Sequence, residues 1–484
     1  MTDLSAPVQL KVLGESQLEE IHESAVRLLD KVGFELPDPQ LRCALGEHGA
    51  RVEGSRVFLP PAAVSEALTA APSEFTLWAR SEDGPHLQLS PGRAVHLGTG
   101  GGAIRILDLE EERVREPSLQ DLADLAWLVD NLPHVHFFLR PVIARDVPGE
   151  LLDVNTLYAC LAGTRKHVMV AAGSPGAVDD LWAVARLVVG DEEELLARPI
   201  FSLVCSWMVS PLRVDASVAH VLRRALQLGI PVALSSAPVT GSTAPATLAG
   251  VLVQVHAEEL SGIVLAQALR NGARVLYGPV PAAANFHTMG YLGGAVESGL
   301  LNAAATQLAH HIGLPVYSDA GLTEAKTPDI QAGYEKATNL LLVTLAGGDF
   351  IHHAAGMMDS MMGVAPEQYV LDNDICGMAL RARAGISVEP ETTAEEVIAR
   401  VGPGGHFLAQ PHTLRHIRSD EFFTPCTADR SSLAAWEEGG RQGARARAKE
   451  VAREILARRR PGYIPPPADK EIRSQFDILL KGAA

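Results

Sequence analysis

Residues Asp215 to Ala237 read DASVAHVLRRALQLGIPVALSSA. Asp215–Leu228 reads as a helix. Gly229-Ile230-Pro231 ends it, and Val232–Ala237 is a short apolar run that reads as a strand. A glycine ends a helix because it can take the left-handed conformation there. A proline is tolerated where a strand is only beginning. The pair marks an αβ turn of the kind found on the bottom of a barrel. The same turn recurs at Gly313-Leu314-Pro315.

The pattern extends in both directions. From residue 93 onward, short β-branched or apolar runs alternate with helical segments. The runs are Val95–Gly98, Val135–Pro141, Val168–Ala172, Ile200–Ser206, Val232–Ala237, Arg274–Gly278, Val316–Ser318 and Phe350–His353. Helices such as Ser118–Asn131, Ala177–Val189, Asp215–Leu228 and Gln331–Leu345 follow them. Eight successive βα units favour a closed (β/α)₈ TIM barrel over an open doubly wound sheet. The expected organisation is an N-terminal α+β cap over 1–92, the barrel over 93–386 and a C-terminal helical extension over 387–484. In the cap, Ser16–Val32 is a helix with Leu18, Ile21, Ala25, Leu28 and Leu29 on one face. Beyond the barrel, Pro390–Arg400 is read as a short helix and Ser431–Arg460 as a long one. Pro461–Pro467 is read as extended.

Composition narrows the function. The chain has 484 residues, 47% apolar and 20% charged, with a formal net charge of −17. That balance disfavours nucleic acid, which needs a basic face, and suits a cationic ligand. The five cysteines form no C-x-x-C pair and are expected as free thiols in a reducing compartment. Met1–Leu10 has no basic stretch followed by an apolar core, and no uninterrupted apolar run of spanning length is apparent. A cytoplasmic location without membrane contact is therefore expected.

Barrel chemistry sits where strands end at their C-terminal side. That rule selects Gly98–Gly102, Arg140, Gly173, Trp207, Thr240, the Pro279–Gly294 loop with Phe286 and Tyr291, Asp319, and His352-His353. Successive strand residues face opposite ways, so only one of the two histidines is expected to point inward. The glycine run Gly100, Gly101 and Gly102 lacks a Walker lysine and dinucleotide spacing, so close backbone approach to a ligand or partner is the better reading. His412 and His416 share a helical spacing, but no carboxylate or cysteine completes a ligand set, and no directly bound metal is expected.

Several ordered segments carry a family resemblance. They are Ile21-His22-Glu23 to Leu36, Gly98–Ala103, Glu259–Gln267, Ser318-Asp319, Pro328–Lys336, His353–Gly356, and Gly404–Leu408 onward through His416, Arg430 and Trp436. The chain resembles the trimethylamine:corrinoid methyltransferase family, in its non-pyrrolysine branch, almost end to end. The resemblance implies a barrel that moves a methyl group from a small methylated amine to cob(I)alamin on a separate corrinoid protein. The founding branch demethylates trimethylamine with a pyrrolysine in the site, whereas this sequence contains only the standard twenty residue types.

That departure implies a substrate needing no covalent activation. A quaternary ammonium already carries charge on nitrogen and leaves as a neutral tertiary amine, with glycine betaine the first expectation. Aromatic faces attract such cations by about 1–2 kcal/mol, and Trp207, Phe286 and Tyr291 are the candidates. Asp319 or Glu259 can supply a counter-charge. Arg140, His353 or the amides of Gly98–Gly102 can take a carboxylate. The resemblance favours His353 over His352 as the inward residue, facing either substrate or corrinoid. Competing readings are a barrel that binds betaine or corrinoid without turnover, and a cobalamin-independent barrel enzyme. Both termini can supply a subunit interface, and a homo-oligomer is expected.

Overall fold

A computed structural model describes residues 7–81, 84–458 and 462–481. All eight expected strands form: β1 (His96–Leu97), β2 (Phe137–Leu139), β3 (His167–Val170), β4 (Phe201–Cys205), β5 (Val232–Ser236), β6 (Val275–Pro279), β7 (Tyr317–Asp319) and β8 (Phe350–His352). Strands β2 to β6 pair in parallel in chain order, as do β7, β8 and β1. Parallel bridges Gly98↔Phe137 and Tyr277↔Val316 join the two groups into a closed ring. Each strand leads to its own helix: α1 (Leu119–Asp130), α2 (Leu152–Gly163), α3 (Pro175–Val189), α4 (Ala216–Leu228), α5 (Leu248–Leu269), α6 (Val296–His311), α7 (Ile330–Ala346) and α8 (Pro366–Ala384). The fold is a (β/α)₈ barrel.

Local chemistry explains the boundaries. Ser118, Ser174, Asp215, Thr247 and Asp329 cap helix N-termini with side-chain oxygens. Gly190, Gly229 and Gly347 end α3, α4 and α7 at φ of 91°, 78° and 96°. The pleat then sorts side chains into two layers. Phe137, Leu139, Met169, Ala233, Leu276, Tyr317 and Phe350 fill the lumen, while Phe138, Val168, Val170, Leu203, Val232, Leu234 and Val275 pack outward. The hairpin Phe75–Leu77/Leu87–Leu89 adds Leu77, Leu87 and Leu89 to the lumen cluster, and Trp78 N–H donates to Pro199 O just ahead of β4. It therefore closes the bottom of the barrel and leaves the top as the entrance.

The cap helix Glu15–Lys31 buries Leu18, Ile21, Ala25 and Leu29, and Leu18 and Ile21 meet residues of α5 and α6. Among the described residues, α5 alone is long and apolar enough to cross a membrane, but 78% of its most apolar window is buried in the fold. It also carries Glu258 and Glu259 inside.

The C-terminal extension departs from expectation in three places. Pro390–Arg400 is two helices, Pro390–Thr393 and Glu395–Val401, separated at Ala394 with φ 52°. The expected long helix is also two, Leu433–Glu438 and Ala444–Ala457, because Gly439-Gly440 breaks it and Gly440 turns left-handed at φ 87°. Arg459, Arg460 and Pro461 lie outside the described residues, and Pro466 begins a helix, Pro466–Gln475, instead of continuing an extended tail. Proline fits a first helical turn, where its missing N–H has no partner to lose.

Candidate active site

The end of β8 sets the site. The pleat puts Phe350 in the lumen, Ile351 among the helices and His352 inward again. The His352 ring stacks on Tyr317 of β7, with centroids 3.9 Å apart and planes 11° apart. His353 should then face outward, yet it also reaches the mouth. Its backbone is left-handed, φ 61°, which breaks the strand alternation. The two rings lie 4.0 Å apart. The expectation that only one histidine faces inward therefore fails, because it assumed that the pleat continues through residue 353. Burial holds the His352 imidazole well below its ordinary pKa, and His353 beside it acts in the same direction.

Asp319 ends β7 and is 3% exposed. Its Oδ1 lies 2.7 Å from His353 Nδ1, and Tyr291 donates its hydroxyl to Oδ2 at 3.0 Å. An ionised carboxylate only accepts, so it holds the proton of His353 on Nδ1 and leaves Nε2 open. Tyr291 reaches in from the hairpin Ala283–Asn285/Gly290–Leu292. Burial and the neighbouring Asp319 push its phenol well above the ordinary range.

The glycine run is the wall behind these rings. A Cβ on Gly100 would lie 2.7 Å from His353 Cδ2, and one on Gly102 would lie 3.2 Å from Arg140 Nη1. A Cβ on Gly101 would overlap Met357, and Gly101 sits at φ 114°. The glycines are needed for the site's own side chains to approach. Gly101→Ala is expected to lower stability by about 1–2 kcal/mol, read as a drop in the thermal or denaturant midpoint. An unchanged midpoint would mean that the loop relaxes freely.

Arg140 follows β2. Its guanidinium makes no hydrogen bond or ion pair among the described residues, and burial lowers its pKa. Such a cation is an open partner for an anion. The loops that follow β7 and β8 are tied from behind. Lys336 Nζ on α7 donates to Gly321 O and, at 2.9 Å, to Met357 O. It pairs with Asp372 of α8 at 3.2 Å, and Asp372 accepts from Gly356 N–H at 2.7 Å. Glu335 accepts from Thr323 Oγ1 at 2.5 Å and from Glu324 N–H at 3.0 Å. Thus Glu335-Lys336, noticed in the sequence only as part of a resembling segment, grips the loops bearing Asp319 and His353. Tyr317 and Met357 had no sequence signal, since each looks like an ordinary core residue until the barrel closes, and Asp372 had none because a helical aspartate normally faces solvent.

Three candidates lie elsewhere. Trp207 is fully buried against α5, where a Cβ on Gly262 would lie 2.6 Å from its ring, so it belongs to the helix layer. Glu259 also lies in that layer on α5, where its Oε2 accepts from Gly278 N–H at 2.9 Å. Burial pushes its carboxyl well above the ordinary range. Phe286 sits at the hairpin tip, 67% exposed, beside Gly241. The mouth cluster is therefore Asp319, His352, His353 and Tyr291, with Tyr317 below and Arg140 behind Gly102.

Among the described residues, two groups offer metal-ligand atoms within 4.8 Å of one another: Asp319/His352/His353, all buried, and Glu391/His412/His416 nearer the surface. The carboxylate missing from the second set in sequence is Glu391, supplied from the short helix Pro390–Thr393. Arg415 already pairs with Glu391 at 2.6 Å. In the first set, Asp319 already receives two hydrogen bonds.

A barrel mouth with a buried carboxylate, an oriented imidazole and an unpaired guanidinium can bind and orient a small charged molecule. Residues 4–478 match the family model described as trimethylamine methyltransferase (MTTB). The chain is 33% identical over 472 residues to a glycine betaine methyltransferase of Desulfitobacterium hafniense, covering 97% of this chain and 96% of the relative. It is 35% identical over 483 residues to trimethylamine methyltransferase MttB2 of Methanosarcina mazei, covering 98% and 96%. Among solved structures, the monomethylamine methyltransferase MtmB of Methanosarcina barkeri matches with a TM-score of 0.51 at 13% identity, covering 94% and 89%, a likeness of fold. This chain is a methyltransferase and belongs to the trimethylamine methyltransferase family.

Proposed function

We propose that this methyltransferase takes a methyl group from a quaternary amine, with glycine betaine the foremost candidate, and delivers it to a cobalt(I) corrinoid carried by a separate small protein. One observation carries the reading. The mouth holds a buried carboxylate, Asp319, and near it an Arg140 guanidinium that forms no ion pair among the described residues, the charge of Asp153 acting on it only from beyond contact. A zwitterion satisfies both charges at once. A simple methylamine leaves Arg140 unanswered.

The roles follow from geometry. Asp319, held by Tyr291 and His353, attracts the ammonium without forming a bond to it. Arg140 takes the carboxylate, which turns a methyl toward the entrance. The N–CH₃ bond breaks with its electron pair staying on nitrogen, so the leaving group is a neutral tertiary amine. The corrinoid, when bound, supplies the electron pair that accepts the methyl. Catalysis by this chain is then chiefly orientation and charge placement, and no acid–base step is required at the nitrogen. The half-buried backbone of Gly101 and Gly102 leaves that part of the rim without side chains, which suits the approach of a broad macrocycle.

The test supplies the purified enzyme with a corrinoid protein, reduced cobalamin and a panel of methylated amines. Demethylated product is followed by mass spectrometry. Dimethylglycine is expected from glycine betaine. Failure to demethylate any quaternary amine would sink the reading.

A further inference from the structure

Tyr317 stands in the lumen, and its hydroxyl has entered none of the interactions described so far. Its ring lies between Phe350, at 5.7 Å and 26°, and His352, at 3.9 Å and 11°. Rings stacked on both sides hold its hydroxyl in one direction. The residue is 3% exposed, yet the hydroxyl has no hydrogen-bond partner among the described residues and is not among the sealed polar atoms, as that of Tyr369 is. A buried phenol normally finds an acceptor. The charges around it come from the two ends of the proposed site: Asp319 raises its pKa in the same direction as burial, and Arg140 lowers it. The stacked rings on both sides make the hydroxyl a preorganised donor with nothing among the described residues to donate to.

We infer that Tyr317 is a specificity-determining residue: its hydroxyl donates to the carboxylate of a zwitterionic quaternary amine bound by Arg140, so that the enzyme selects carboxylate-bearing substrates over quaternary amines of similar size without one. This inference rests on the quaternary-amine reading above and narrows it to a class. It follows from an unpartnered hydroxyl held by two stacked rings in the lumen, with the charge of an Arg140 guanidinium that forms no ion pair among the described residues also reaching it. A site for an uncharged or purely cationic amine has no use for either donor.

The variant Tyr317→Phe keeps the ring stack and removes only the donor. Binding of glycine betaine, choline and tetramethylammonium to the wild type and the variant is measured by titration calorimetry on the full chain, with circular dichroism to check the fold. The wild type is expected to prefer betaine. The variant should lose about 10- to 100-fold in betaine affinity, as for one hydrogen bond to a charged group. Choline and tetramethylammonium should change by less than about twofold, since neither contributes an acceptor carboxylate. Equal losses for all three ligands, or no loss for betaine, would overturn the inference and leave the quaternary-amine reading intact. A wild type that binds none of the three overturns that reading, and the inference with it. A misfolded variant shows that Tyr317 is needed for packing. The wild-type preference alone then decides, and choline bound as tightly as betaine counts against the inference.

Discussion

Lys336→Met is expected to destabilise the protein by about 3–5 kcal/mol, the usual consequence of stranding one member of a buried ion pair. Lys336 and Asp372 are 1% and 0% exposed at their side chains, so neither charge has water to fall back on. The substitution leaves Asp372 uncompensated and strips two backbone carbonyls, of Gly321 and Met357, of their donor. The double variant Lys336→Met/Asp372→Leu removes both charges and should recover the part of the loss due to the stranded carboxylate, while the carbonyls of Gly321 and Met357 and the N–H of Gly356 stay without their partners. Denaturant unfolding of the two variants beside the wild type reads this directly. A single variant within about 1 kcal/mol of the wild type would show that the pair does not hold these loops. The loops matter because Gly321 backs onto the carbonyl of His353, where an added Cβ would lie 2.9 Å away. The left-handed turn at residue 353 is therefore fixed from α7 and α8, well behind the chemistry.

Asp319→Asn is expected to reduce turnover of the methylated amine by about 10²- to 10³-fold, the size seen when one preorganised electrostatic group is removed. The substitution is nearly isosteric and should leave the fold intact. It removes the counter-charge for the ammonium. It also replaces one acceptor oxygen with an amide donor, so His353 Nδ1–H and the Tyr291 hydroxyl can no longer both donate to the side chain. The imidazole then loses the partner that fixed its tautomer. Steady-state kcat/KM, with unfolding as the control for stability, separates the two effects. Retention of more than about a tenth of wild-type activity would place Asp319 outside the reacting centre, since loss of a direct electrostatic partner costs far more.

These two residues show how differently the sequence spoke. Asp319 was legible because it follows a β-branched run at the end of a βα unit, a place where barrels put their chemistry. Lys336 was not, since a lysine inside a helix is normally a solvated charge. Only the packing of α7 against the loops above it turns that lysine inward. Arg140 was legible as a strand-end cation, but that it forms no ion pair among the described residues emerged only once its surroundings were filled. Trp207 and Glu259 were chosen by the same strand-end and resemblance logic. They turned out to face the helix layer: Trp207 because a residue just past a strand can turn either way once the pleat ends, and Glu259 because it sits mid-helix on α5, packed against the outside of β6.

What the sequence determined by itself is the barrel: eight apolar runs, capped helices and left-handed glycines at the turns. These are short-range effects of backbone conformation and periodic burial, and each is encoded within a few residues. The site was decided by tertiary structure. His352 and His353 both face the mouth because a backbone held left-handed by distant contacts overrides the alternation of the strand. Tyr317 becomes an aimed donor only when rings from β7 and β8 stack in one lumen. Directions of side chains at strand ends depend on contacts between residues far apart in the chain, and local sequence carries no record of them.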